Sequence, residues 1–241
     1  MKRAFCAALL ACAQMASASA STVDAAQYDA FWLWAGVKSQ AVVHDARTIY
    51  VLQGQIEAAP GDESQVRFIA QGAATPNAPH AQIWLAYRAH TLHWTPRITQ
   101  IMLAQLARWR AWGHRSGHEV VGIQIDFDAR TLHLQDYLDF LLTLRKTLPA
   151  DCRLSITGLL DWSSRIDASQ VNQLKQIVDE VVVQTYQGRH TITRYDAYLP
   201  RVARLQLPFR IGLIEGGTWD APDYLAANPW FRGYVVFLRN P

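Results

Sequence analysis

The sequence has very little cysteine. Three occur, and Cys6 and Cys12 both lie at the extreme N-terminal end, so Cys152 stands alone in the body of the chain. A lone cysteine cannot close an internal disulfide, and an ordinary apolar core must hold the fold. About 220 residues beyond the N-terminal segment is ample for one. Excess charge is also missing. Lys and Arg number 23 against 20 Asp and Glu, and no Lys/Arg-rich run occurs. No basic field is therefore available for a nucleic-acid backbone or an anionic membrane surface. Apolar runs of bilayer-spanning length are absent, which excludes stable membrane insertion through helices. Neither a Gly-x-Ser-x-Gly elbow nor a phosphate-binding loop occurs. An open doubly wound sheet usually carries a Gly-rich turn after its first strand, and Ala35-Gly36-Val37-Lys38 offers a single glycine there.

Residues 1–20 read as an export signal. Lys2 and Arg3 supply a basic start, Ala4 to Ala13 a short apolar run, and Ala16-Ser17-Ala18 and Ala18-Ser19-Ala20 small-x-small cleavage sites. Leu9-Leu10-Ala11-Cys12 has the form of a lipoprotein box but leaves little apolar segment before the cysteine. The expectation is a cleaved signal over 1–20, a single domain over 21–241, and a periplasmic or secreted protein. Without Lys2 and Arg3, the 23 basic and 20 acidic side chains of the whole chain become a nearly neutral balance.

From residue 30 onward, short apolar runs alternate with amphipathic stretches, the pattern of repeated βα units and a parallel sheet. Eight runs read as strands: Phe31–Val37, Thr48–Gln53, Gln82–Tyr87, Val120–Asp126, Leu154–Leu160, Glu180–Tyr186, Phe209–Ile214 and Gly233–Leu238. Several are apolar at nearly every position, as strands buried on both faces are. Thr95-Pro96 opens a helix that carries Ile98, Ile101, Met102, Leu106, Trp109 and Trp112 at helical spacing up to Gly113. A second helix spans Leu134 to Leu148, with Leu134, Tyr137, Leu138, Leu141, Leu142 and Leu148 on one face and Arg145 interrupting the stripe. Shorter helices fit Ala168–Val178 and Thr193–Leu205, the latter kinked or broken at Pro200. Gln55 to Asn77 is rich in Gly, Pro, Asp and Gln and reads as a long loop or hairpin, with an extra strand at Val66–Ala70. The fold class expected is a trimmed (β/α)8 barrel of the TIM type, with that loop or hairpin in place of one helix.

The chemistry concentrates on the fourth run, Val121-Gly122-Ile123-Gln124-Ile125-Asp126-Phe127-Asp128. Side chains two apart on a strand share a face, so Gln124, Asp126 and Asp128 point into the barrel while Ile123, Ile125 and Phe127 point to the helices. In a barrel the functional mouth lies at the carboxyl ends of the strands. Two carboxylates there suit acid/base work on an ether-like bond, because their mutual repulsion keeps one protonated while the other stays charged. Glu215, after the seventh strand, is the remote carboxylate that would complete a two-carboxylate mechanism. Trp34 and Tyr87 at strand ends, Trp162 after the fifth strand and Trp219 after the seventh offer aromatic faces for sugar rings. Trp109 and Trp112 lie on a helical stripe and read as core.

The run VGIQIDFD resembles the fourth-strand signature of family-18 chitinases, Asp-Gly-x-Asp-x-Asp-x-Glu. The resemblance implies that Gly122 is the motif glycine and that Asp126 is the aspartate that orients the substrate's acetamido group. Asp128 then stands where the family has its proton-donating glutamate. Val121 and Gln124 each replace an aspartate, and Asp128 is one methylene shorter than the family's acid. Gln184-Thr185-Tyr186-Gln187 resembles the family's Met-x-Tyr-Asp, which implies that Tyr186 supports the reaction intermediate, while Gln187 departs from the motif. Gln124, Gln184 and Tyr186 are the polar residues expected to hold substrate. The longer stretch from Val121 through Ser164, with FWLWAGV before it, is similar to domain of unknown function 3142, a bacterial family resembling glycoside-hydrolase barrels. This resemblance implies the barrel fold. The inward array and the family-18 resemblance together imply a glycoside hydrolase that acts on an envelope or extracellular polysaccharide, with the substrate's own acetamido oxygen as nucleophile and no metal or other cofactor.

Two alternatives carry other chemistry. The replaced aspartates and the shortened acid would also suit a non-catalytic carbohydrate-binding barrel. His90-Thr91-Leu92-His93 has ligand residues of the kind a metal-dependent polysaccharide deacetylase uses. Those enzymes use His-x-x-x-His placed after their aspartates, so spacing and order both differ. Carbohydrate is the expected partner in the first two readings.

Overall fold

The computed structural model describes residues 21–34, 36–37, 40–71, 75–127, 134–160 and 166–240, with residues 63, 64 and 159 described in backbone only. Its frame is a closed barrel of eight parallel strands: β1 (Ala30–Leu33), β2 (Thr48–Ala59), β4 (Gln82–Ala89), β5 (Glu119–Asp126), β6 (Arg153–Leu159), β7 (Glu180–Gln184), β8 (Phe209–Ile214) and β9 (Phe231–Phe237). Each pairs with the next, and β9 closes on β1 through Val236↔Phe31 and Phe237↔Trp32. All eight expected runs are barrel strands, and they are apolar because both faces are covered. Outward side chains such as Ile49, Ile83, Ile123, Ile156 and Val181 belong to the large core between strands and helices. Inward ones form a smaller cluster of Trp32, Tyr50, Trp84, Val121, Val182 and Val235.

The helices begin where capping chemistry starts them. In α1 (Pro96–Ser116) the Thr95 hydroxyl accepts from the Ile98 amide, and the helix ends at Gly117, whose φ of 76° suits only glycine at low cost. It runs one turn past the expected end at Gly113. α2 (Leu134–Thr147) buries Leu134, Tyr137, Leu138, Leu141 and Leu144. Leu142, expected on that stripe, is exposed, because its position turns the side chain away from the strands. Arg145 donates to the carbonyls of Cys152 and Pro149 at 2.7 and 2.9 Å, closing the turn after the helix. α3 (Ala168–Ile177) starts from a capping box of Asp167 and Gln170. The helix expected over Thr193–Leu205 is broken into a 3-10 turn at Tyr195–Ala197 and a single turn, α4 (Leu199–Val202), with Pro200 in its first turn. A proline lacks the amide that a continuing helix needs, so the chain restarts there. α5 (Asp223–Ala226) is equally short.

Among the described residues no helix follows the second barrel strand. β2 continues past the barrel and turns back as β3 (Asp62–Ala70), an antiparallel hairpin in register Gly54↔Ala70, Ile56↔Phe68 and Ala58↔Val66. β1 pairs with β2 only as far as Leu33↔Val51, and β3 takes the edge of β2 that β1 leaves. Ile56 is fully buried, and Val66 and Phe68 pack against the main core, so the hairpin supplies the apolar cover a helix would otherwise give. Among the described residues no helix is long and apolar enough to cross a membrane.

Gly122 is dictated by crowding where β6 enters the sheet. A Cβ at this position would lie 2.1 Å from the Arg153 carbonyl oxygen, a backbone atom that cannot swing aside. Gly122→Ala is expected to destabilise the fold by about 2 kcal/mol or more through overpacking. A urea titration that finds Gly122→Ala within error of wild type would show that the strands separate freely here.

Candidate functional site

Strand β5 aims its polar residues where periodicity puts them. Ile123 and Ile125 face the outer core, and Gln124 and Asp126 face the barrel interior. Asp126 is buried at 6 % exposure yet lines a cleft of about 580 Å³ at the carboxyl ends of the strands. The Thr157 hydroxyl on β6 donates to its Oδ1 at 2.8 Å. Arg88 on β4, paired in register with Asp126, brings a guanidinium nitrogen to 3.9 Å of Oδ2. The same guanidinium lies 5.5 Å from the centre of the Trp34 ring, a cation held over an aromatic face.

Aromatic rings form one side of the cleft. Trp32, Trp34, Tyr186 and Phe237 all line it. Phe237 lies 5.3 Å from Trp34 and 5.8 Å from Tyr186, and Trp32 lies 6.4 Å from Tyr186, ring centre to ring centre. Gln184 lies in the same cleft. Gly212 on β8 makes room for Trp32, since a Cβ there would meet the indole at 2.8 Å.

A buried polar chain runs beneath this surface. The Trp32 indole N–H donates to Gln124 Oε1 at 2.6 Å, and Gln124 Nε2 donates to Ser155 Oγ at 3.0 Å. Ser155 Oγ donates in turn to Glu180 Oε1 at 3.2 Å. Glu180 also accepts from the Tyr50 hydroxyl at 2.5 Å and from Arg210 Nε at 2.9 Å. A carboxylate only accepts, and an indole only donates, so the two ends set the direction of every bond between them. Gln124 is fully buried with both ends of its amide engaged. It lines the floor of the cleft, but its amide is spent on orienting Trp32 and on Ser155.

Burial pushes the Tyr50 hydroxyl well above its ordinary value of 10.0, and the Glu180 charge adds to this while Arg210 opposes it. Burial raises Tyr87 in the same direction. The folded protein keeps these protons where the unfolded chain begins to lose them. The stability they confer is complete below pH about 10 and falls as pH rises further. Urea midpoints at pH 9 and pH 11 should differ, with the lower one at pH 11; an unchanged midpoint would contradict the burial of these hydroxyls.

Several expected site residues lie elsewhere. Tyr87 is paired with outward-facing Ile125, is fully buried, and donates its hydroxyl to Gln105 of α1 at 3.0 Å. It is a core residue, because one step along a strand reverses the face. Trp219 is buried between Tyr195, stacked at 4.8 Å, and Tyr234 at 5.7 Å, beside a two-residue pairing of Ser21–Thr22 with Thr218–Trp219. Glu215 does not line the cleft. Its Oε2 accepts from the Arg239 amide at 2.7 Å and Gln40 Nε2 at 3.3 Å, fastening the chain after β9. Asp128 and Trp162 lie outside the described residues. Unforeseen contributors are Trp32, Arg88, Thr157 and the Glu180–Arg210 pair. Trp32 was readable, since it shares a strand face with Trp34. Thr157 and Ser155 belong to an inward set of β6 that looks ordinary in sequence.

A larger depression, about 880 Å³, lies outside the barrel between α1 and α2, lined by Trp94, Phe140, Asp136, Asp139 and the loop carrying His90 and His93. It contains none of the inward residues. The cleft holding Asp126 is the candidate site, because there a nearly buried carboxylate, a cation and aromatic faces converge on a space that opens at the carboxyl ends of the strands.

Residues 90–197 match a family model described as a domain of unknown function (DUF3142), the family that β5, α2 and β6 resemble in sequence. No curated protein matches the chain. Among solved structures, the spore cortex-lytic enzyme SleL of Bacillus cereus superposes with a TM-score of 0.41 and 16 % identity, over 72 % of this chain and 44 % of that one. The chain thus spans less than half the length of SleL. The chitinase domain of the spore coat protein CotE from Clostridium difficile gives a TM-score of 0.47 and 12 % identity, over 86 % and 68 %. A xylanase and alpha-amylase inhibitor protein from Scadoxus multiflorus gives 0.47 and 8 %, over 86 % and 91 %.

Proposed function

We propose that the mouth cleft binds carbohydrate and that the protein hydrolyses a glycosidic bond in an envelope or extracellular polysaccharide, exported through residues 1–20. The observation that carries this reading is Asp126, a nearly buried carboxylate opening onto a cleft lined by Trp32, Trp34, Tyr186 and Phe237. The apolar C–H faces of a sugar pack on such rings, while Gln184, Tyr186 and Arg88 supply polar contacts at the edge. Asp128 is the proton donor. It follows Asp126 by two positions on the same strand reading, and Asp126 is the charged neighbour that orients and stabilises.

Glu215 is committed to Arg239 and Gln40, so no carboxylate is assigned to the far side of the sugar. The nucleophile in this reading is the substrate's own acetamido oxygen, as the sequence resemblance implies. Asp128 gives its proton to the leaving oxygen as the C–O bond breaks, and the acetamido oxygen closes on the anomeric carbon. Asp126 stabilises the positive charge that develops on the acetamido group. Water then opens the ring, returning a proton to Asp128. Thr157 and Arg88 fix the Asp126 carboxyl during both steps.

A second reading is favoured by Gln124. Its amide is sealed against Trp32 and Ser155, so the inward array offers a substrate fewer polar groups than a Gln-x-Asp-x-Asp motif suggests. A non-catalytic carbohydrate-binding barrel would need no more. Purified protein incubated with chitin, peptidoglycan sacculi, cellulose and xylan separates the two. New reducing ends with wild type, lost in Asp128→Asn, support hydrolysis. Retention on one polymer without product, unchanged in Asp128→Asn, selects the binding protein. Neither retention nor product on any polymer sinks both.

A further inference from the structure

The hairpin does more than cover the outer core. At the rim, Gln55 on β2 is paired in register with Arg88 on β4, and Arg88 lines the cleft. Parallel neighbours at the same level share a face, and so do antiparallel partners. Gln55 therefore faces the cleft side, as do its partner Ile69 and the next pair up, Glu57↔Arg67. His90, two residues beyond Arg88, lies 3.3 Å from the Gln55 amide oxygen. The opposite face carries Ile56, Phe68 and Val66 and is used up by the core.

From the level of Arg88 to the turn at Gly61 the hairpin rises about 20 Å. Over the pairs Gln55↔Ile69 and Glu57↔Arg67 the cleft-side face carries no net charge, because Arg67 and Glu57 are paired at 2.6 Å. It offers an amide at Gln55, a mixed donor and acceptor pair, and one aliphatic side chain, Ile69, at 38 % exposure. Hydroxyl groups and sugar C–H faces match that composition; a polyanion does not. Arg88, which lines the cleft and pairs in register with Gln55, stands at its foot, so the face starts at the edge of the cleft.

We propose that this face is an additional subsite, which holds the run of a neutral linear glycan as it leaves the cleft. The inference rests on the carbohydrate reading of the cleft and goes beyond it by fixing one direction of the bound chain and a preference for long ligands. The hairpin then acts as a wall along which several sugar rings lie, and Ile69 takes the apolar face of one of them.

The test uses the whole chain and N-acetylglucosamine oligomers of two and six residues, measured by calorimetry. Arg67→Ser/Ile69→Ser alters exposed positions only, and its melting temperature should match wild type. Wild type should bind the hexamer more tightly than the dimer, and the double variant should lose about tenfold on the hexamer and almost nothing on the dimer. Gln55→Ala provides the same readout if the double variant melts early. Equal affinities of wild type and variants for the hexamer overturn the hairpin subsite while leaving the cleft reading intact. Absence of any oligomer binding by wild type overturns both. Concentration-dependent dimerisation, abolished by the double variant, would assign the face to a second copy of the chain and equally overturn the subsite.

Discussion

On a glycan that the wild type cleaves, Asp126→Asn should lower kcat by about 10²- to 10⁴-fold, the range that acid/base groups and their tuning partners contribute. The substitution is nearly isosteric. The amide oxygen it introduces can still accept from Thr157, whose hydroxyl lies 2.8 Å from the carboxyl oxygen, so the strand and cleft should keep their shape. What disappears is a negative charge at 6 % exposure, where few waters screen it and its pull on developing positive charge is strong. Arg88, 3.9 Å away, then faces the reacting sugar without that carboxylate beside it. The effect should fall on kcat far more than on KM, because the charge matters most when the bond is breaking. Thr157→Ala should give a smaller loss, about tenfold, since it frees the carboxyl to turn without removing its charge. Unchanged turnover in Asp126→Asn would refute the assignment.

Glu180→Ala is expected to cost about 3–5 kcal/mol of stability, the usual consequence of breaking a buried ion pair from one side. Three donors converge on this carboxylate: Arg210, Tyr50 and Ser155. Removing it strands a mostly buried guanidinium and leaves two interior hydroxyls to find new partners. Glu180→Gln should be milder, because its carbonyl still accepts from two of the three. The direction of the hydrogen-bonded chain also predicts a coupling. Gln124→Glu alone places acceptors on both sides of Ser155, which has a single proton to give. Adding Glu180→Gln supplies a donor from below, reverses the chain, and should recover part of the loss. Denaturant titration of the four proteins measures this directly. A Glu180→Ala protein within about 1 kcal/mol of wild type would mean that the network does not hold the barrel interior.

Much of this architecture was legible because barrel strands have to be apolar on both faces. Runs such as Val181-Val182-Val183 and Phe209 to Ile214 have no other comfortable home, and their number and spacing led to a closed parallel sheet. Thr95-Pro96 and the Gly/Pro-rich stretch after Gln55 marked a start and an interruption through local chemistry that needs no tertiary context. Period-two alternation alone put Gln124 and Asp126 on one inward face. The same rule misled at Tyr87. Its place near a strand end suggested the mouth, but parity directed it outward against Gln105.

The barrel and the location of Asp126 thus follow from sequence alone, since strand periodicity and burial on both faces are properties of short segments. Which residues share the cleft was settled when the strands closed. Trp32 meets Gln124 across 92 positions of sequence and Arg88 meets Asp126 across neighbouring strands, contacts fixed by register and by the space Gly212 leaves. The same closure withdrew Glu215 and Trp219 from the mouth, because the end of the chain claimed one and an aromatic cluster the other. Segments carry their own pattern of burial; partners are chosen by register, and register exists only in the folded sheet.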